Sequence, residues 1–122
     1  MNEQNITGKT GEEVACSYLR VNGYRILHTN WRFHRYELDI VATDGKELVI
    51  VEVKTRSANY LVSPELSVNR QKIKRIACAA EACQRLLKTD LPIRFDVICL
   101  IREKDVYTVE CHIEDAFFAP VN

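Results

Sequence analysis

Hydrophobic and polar positions along the chain change period several times, and each change predicts an element. Residues 8–22 carry apolar and small side chains at helical spacing, with Ala15 and Leu19 on one side, Arg20 on the other and Gly23 as the stop. Residues 24–29 alternate, Tyr24, Ile26 and His28 against Arg25, Leu27 and Thr29, which predicts a strand. Residues 37–43 alternate again, with Leu38, Ile40 and Ala42 on one face and Glu37, Asp39 and Val41 on the other; Asp44-Gly45 follows as a turn signal. Residues 48–56, LVIVEVKTR, form an almost continuous β-branched run that ends in charge, the pattern of a central strand covered on both faces. Residues 57–67 lack a period and contain Pro64, so they predict an exposed loop. A second helix is expected over 69–87, with Asn69 as its N-cap and Val68 and Ile73 as a hydrophobic staple. Strands at 93–101 and 106–112 complete the pattern, and Phe117 and Phe118 in the tail are expected to dock on the core.

The order is helix, three strands, helix, two strands. A tight turn makes the middle pair antiparallel, and a helical crossover makes the fourth strand parallel to the third. The fold class is therefore α/β: an αβββαβ core with a mixed central sheet of four to five strands flanked by helices. At 122 residues and 47% hydrophobic content, one domain spanning 1–122 can bury a core without disulfides or a structural metal.

Charge and cysteine usage narrow the function classes. Seventeen basic and seventeen acidic residues cancel, so no global field draws polyanions and any phosphate-binding surface must be local. Five scattered cysteines without a CxxC pair point to a reducing, cytoplasmic setting. No apolar run approaches the roughly 20 residues of a membrane helix.

The candidate chemistry lies on the third strand. Period two puts Glu52 and Lys54 on the face of Leu48 and Ile50, and burying Glu52 there requires a compensating partner. The turn decides whether Asp39 joins them. A two-residue loop sets Asp39 diagonal to Glu52, a four-residue loop sets them opposite, and a three-residue loop sends Asp39 to the wrong side. On a shared face the Cβ atoms of the two residues stand within roughly 5 to 8 Å, close enough for both carboxylates to ligate one hard cation. Mg²⁺, or Mn²⁺ in its place, suits such a pair because it takes one or two protein carboxylates and keeps waters and phosphate in its other positions. Lys54 would orient water or offset developing charge. Glu12 lies on the inner stripe of the first helix, where it serves either this site or the helix macrodipole.

Basic residues supply the second candidate surface. NWRFHRY interleaves Trp31, Phe33 and Tyr36 with Arg32, His34 and Arg35, either as a base-stacking platform or as a strand continuation with its aromatics in the core. Arg70, Lys72, Lys74 and Arg75 crowd the start of the second helix, where the macrodipole disfavours cations, so they form either a solvated face or an anion site. Arg32, Arg35, Arg56, Arg70, Lys72 and Arg75 are the expected nucleic-acid contacts. Asp96, in Arg-Phe-Asp-Val at the head of a buried strand, is either half of a salt-bridged structural pair or a peripheral site group.

Asp39 followed by Glu52-Val53-Lys54 resembles the signature of the PD-(D/E)XK nuclease superfamily. Gly11-Glu12, Gly23-Tyr24, Asn30, Arg32, Glu37-Leu38-Asp39, Val51 to Arg56, Lys72 and Arg94-Phe95-Asp96 together resemble the bacterial YraN-like family within it. The resemblance implies a restriction endonuclease-like core, with Asp39 and Glu52 as metal ligands, Lys54 as the charge-stabilising group and Glu12 as an additional acid. Leu38 stands where the superfamily signature has proline, and Tyr36 where the YraN-like motif has glycine. The expected activity is Mg²⁺-dependent hydrolysis of phosphodiester bonds in DNA, by a monomer or a homodimer. The alternatives are a noncatalytic nucleic-acid-binding module of the same fold and a protein-interaction adaptor with an apolar patch around Trp31 and Phe33.

Overall fold

The structure, a computed structural model, describes residues 10–58 and 70–116. The first helix, α1 (Gly11–Val21), opens with a capping box: the Thr10 hydroxyl accepts the Glu13 N–H, and the Glu13 carboxylate accepts the Thr10 N–H. Gly23, at φ +89°, turns the chain out of it. Strands β1 (Arg25–Phe33), β2 (Tyr36–Thr43) and β3 (Leu48–Ser57) follow, then α2 (Arg70–Leu87), β4 (Ile93–Glu103) and β5 (Val106–Ile113). The five strands lie in sequence order, antiparallel except for the parallel β3–β4 pair. This is the expected αβββαβ core with a fifth strand on its edge. No helix among the described residues is long and apolar enough to cross a membrane.

Several boundaries differ from the sequence expectation. β1 runs on through Trp31 to Phe33, so the aromatic stretch is strand, with Trp31 and Phe33 half-buried against the α2-side core rather than forming an open apolar patch. Ser57 ends β3 instead of starting the loop. Residues 59–67 of the expected loop, the cap and staple at Asn69 and Val68, and the docking of Phe117 and Phe118 lie outside the described residues.

Each sheet face carries one helix. Ala15, Cys16 and Leu19 of α1 pack on Ile40, Val49, Val51 and Ile98, while Ile76, Ala80 and Cys83 of α2 pack on Val41, Leu48, Ile50 and Phe95. α1 can approach closely because its first residue is glycine: a Cβ on Gly11 would stand 3.0 Å from Leu100 Cδ1 and 3.2 Å from the Tyr107 ring. That contact fixes where the next residue, Glu12, emerges.

The β2–β3 loop has four residues. Thr43 pairs with Leu48, and Asp44 Oδ1 accepts the N–H groups of Lys46 and Glu47 while Gly45 takes φ +92°. The strict alternation expected for β2 fails at one point. Ile40 packs on the α1 side as its register requires, but Leu38 packs with the α2 side. The switch falls at Asp39 and Asn30. Asn30 has φ +51°, and the pairs Thr29–Ile40 and Trp31–Leu38 bracket it directly across from Asp39. A left-handed residue rotates the strand locally, so Trp31 and Leu38 turn together onto the other face.

Candidate active site

The register that pairs Thr43 with Leu48 and Ile40 with Val51 sets Asp39 opposite Glu52, and the paired stretch ends there. Asp39 Oδ2 instead accepts the Val53 N–H at 2.9 Å, its only hydrogen bond among the described residues. The two strands thus form a fork with a carboxylate at its base. Two clefts meet at Asp39 and Val53. One, of about 520 Å³, is lined by Glu52, Lys54, Lys72, Glu37, Arg35 and Arg75; the other, of about 690 Å³, by Glu12, Thr55, Arg56, Arg102, Lys104 and Tyr107.

Glu52 is almost wholly buried, and Lys72 of α2 supplies its partner, with Nζ 3.2 Å from Oε2. Burial, and then the charge of neighbouring Asp39, push the Glu52 pKa up, against the pull of Lys72 and Lys54. Burial also raises Asp39, against the Val53 N–H bond and the charge of Lys72. Lys54 is held below the usual lysine range by burial and by the adjacent Lys72 ammonium. Lys72 itself is raised: burial works against its charge, but Glu52 outweighs it. Two carboxylates that resist ionising together thus stand beside two ammoniums that repel, and Glu37 adds its negative charge beside Asp39.

Glu12 faces this charge from α1. Asn30 Nδ2 donates to its Oε1 at 2.6 Å. Burial raises its pKa, the Asn30 bond opposes that, and Asp39 and Glu37 add to it. The residue that rotates β1 is therefore also the one that holds Glu12.

The donor set suits a hard divalent ion. Among the described residues no group of three or more His, Cys, Asp and Glu side chains forms a closed metal cage. What the fork offers is a carboxylate pair open to a cleft, which fits Mg²⁺ or Mn²⁺ because these ions keep several positions for water and phosphate.

The expected nucleic-acid contacts divide into three sets. Arg35 and Arg75 line the Glu52 cleft, and Arg70 is exposed at the head of α2. Arg32 pairs with Glu37 at 3.3 Å, and Arg56 forms a two-point ion pair with Glu110 of β5. Lys72 points at Glu52 rather than outward. Sequence reasoning missed two roles, Asn30 as the holder of Glu12 and Lys72 as the partner of Glu52. A tolerance for left-handed φ marks asparagine in general, but nothing local told this one apart.

Asp96 lies outside the fork, fully buried. It accepts from Arg94 Nε at 2.9 Å and Nη2 at 2.8 Å and from the Asp115 N–H at 3.0 Å, and it stands 2.7 Å from His112 Nε2. Arg94 also donates to Tyr24 at 2.6 Å and Glu47 at 3.2 Å. Arg94 and Asp96 thus form the salt-bridged pair, one of the two readings of this strand.

A sequence model described as the uncharacterised protein family UPF0102 matches residues 11–100. A UPF0102 protein of Parabacteroides distasonis is 51% identical over 120 residues, 98% of each chain. One of Bacteroides thetaiotaomicron is 48% identical over 121 residues, 99% of each chain. Among solved structures, SfsA of Pyrococcus furiosus in complex with Ca²⁺ matches with a TM-score of 0.39 and 18% identity, over 90% of this chain and 64% of that one. With a match across both helices and four of the five strands, and relatives alike from end to end, the chain belongs to the UPF0102 family.

Proposed function

We propose that the chain is a metal-dependent nuclease that hydrolyses phosphodiester bonds in DNA, branched or partly processed structures included. The observation that carries this reading is the convergence of Asp39 and Glu52 at the β2–β3 fork, with Lys54 beside them in an open cleft.

Asp39 and Glu52 would hold Mg²⁺ or Mn²⁺. When bound, the ion polarises a phosphoryl oxygen and lowers the pKa of a coordinated water, which answers the reluctance of an anionic diester to accept hydroxide. The chain's own groups do the rest. The Val53 N–H fixes the Asp39 carboxylate in place. Lys54, its charge weakened by burial and by Lys72, sits where it can orient water or offset the charge that builds on phosphate. Glu12, steadied by Asn30, faces Asp39 from the other cleft and can take a proton or anchor a water. Arg35 and Arg75 offer the flanking phosphates two cations at the mouth.

The test is cleavage of labelled branched, single-stranded and duplex DNA by the purified chain with Mg²⁺ or Mn²⁺. Product that requires the metal and falls at least about a hundredfold in Asp39→Ala, a loss of several kcal/mol of transition-state stabilisation, supports the reading. Absence of product, or equal product from the variant, rejects it. Salt-sensitive binding without cleavage favours a noncatalytic binding module instead.

A further inference from the structure

Lys72 is the third residue of α2, in the first turn, where the helix macrodipole works against a cation. What it meets there is Glu52, at 3.2 Å. The two partners are unequally placed: the Glu52 side chain is 6% exposed and that of Lys72 42%. Glu52 opens only narrowly onto the cleft, so some cation must stay with its charge. Lys72 has ready access to solvent, on a flexible four-carbon stem that can swing to water or to a phosphate.

We infer that Lys72 is a tethered cation that holds the Glu52 carboxylate in the metal-free chain and has to leave it when a divalent ion is bound. The inference rests on the metal reading of Asp39 and Glu52. Lys54 lines the same cleft, but among the described residues the ion pair with Glu52 is made by Lys72. Once a divalent charge is held by the carboxylates, the ion, Lys54 and Lys72 crowd the pair, with Arg35 and Arg75 further out in the same cleft, and half-exposed Lys72 is the one able to move. A phosphodiester arriving in the cleft gives the displaced ammonium a new anion. Lys72 therefore makes the bare chain a weak metal binder and couples metal loading to nucleic-acid binding, each favouring the other.

The test measures Mn²⁺ binding to the full chain by titration calorimetry and by the electron paramagnetic resonance signal of free Mn²⁺. Lys72→Met should bind Mn²⁺ roughly tenfold more tightly than the wild type, a change equivalent to about 1.4 kcal/mol. Lys72→Arg, which pairs with a carboxylate at two points, should bind it more weakly. A noncleavable phosphorothioate oligonucleotide should tighten Mn²⁺ binding to the wild type by a larger factor than to Lys72→Met, because only the wild type has an ammonium to transfer to the phosphate. The arginine variant tests the inference even if the methionine variant fails to fold. Equal Mn²⁺ affinity in wild type and foldable variants overturns the inference and leaves the metal reading standing. Failure of every form to bind Mn²⁺ at millimolar concentration overturns both.

Discussion

Asp39 shows how much one side chain carries. It ends the β2–β3 pairing, accepts the Val53 N–H and borders both clefts. Its raised pKa has a measurable consequence. A carboxylate whose folded pKa lies above its unfolded one contributes stability at acid pH and loses it as pH rises through the folded value. Asp39→Asn keeps an oxygen for Val53 and never ionises, so the metal-free variant should be more stable than wild type at neutral pH. That advantage should vanish near pH 4 and below, as denaturant titrations across pH will show; wild type more stable at pH 7 would contradict the electrostatics described. Asp96 has the opposite sign. Burial opposes its charge, but bonds from His112, Arg94 and the Asp115 N–H hold its pKa below the ordinary 3.8. Its contribution is complete above 3.8 and disappears as pH falls through the folded value. Asp96→Ala should lose about 3–5 kcal/mol at pH 7, because it removes the buried carboxylate nearest Arg94 and the acceptor of the Asp115 N–H, leaving Arg94 its more exposed partners Glu47 and Asp44, and it should also flatten the acid limb of the stability curve.

At the scale of elements, the site depends on how two of them meet. α1 reaches the β4–β5 edge because Gly11 has no side chain, and Glu12 emerges beside the fork for that reason. Gly11→Ala should destabilise the fold by about 1–3 kcal/mol and weaken any dependence of activity on Glu12, measured by chemical denaturation and by comparing Glu12→Gln in each background. Most elements were legible from the sequence because their periods were clean. The Val-rich β3, the alternating β2 and the crossover through α2 followed from hydrophobic pattern alone, and the turn chemistry left only loop parity open. The failures were local. The aromatic run was ambiguous because a strand that packs a tryptophan and a phenylalanine against the core has the same composition as a stacking platform. The turn of Leu38 onto the α2 face was invisible because it follows from the backbone of Asn30 on the neighbouring strand, a long-range effect that alternation within β2 cannot report.

For the whole molecule, balanced charge makes binding a local matter. Several of its basic residues already face acids: Arg32 faces Glu37, Arg56 faces Glu110, Lys72 faces Glu52 and Arg94 faces Asp96. Arg35 and Arg75 line the mouth of the Glu52 cleft. Under the proposed function, replacing either with alanine should lower the slope of log DNA affinity against log salt by about one and weaken binding evenly across sequences. An unchanged slope would place the phosphates elsewhere. The sequence showed which acids could meet, because their spacing along a hairpin is a property of the chain. It could not show that a helix 20 residues further on would bring its own cation to Glu52, since that depends on how α2 is laid over the sheet. The central claim, that Asp39 and Glu52 together hold one divalent ion, is tested most directly by anomalous scattering from crystals grown with Mn²⁺. The account expects a single peak at the fork, roughly 2.1 Å from an oxygen of each carboxylate, with Lys72 drawn away from Glu52. A fork with no peak, and with Lys72 still paired to Glu52 at saturating Mn²⁺, would contradict it.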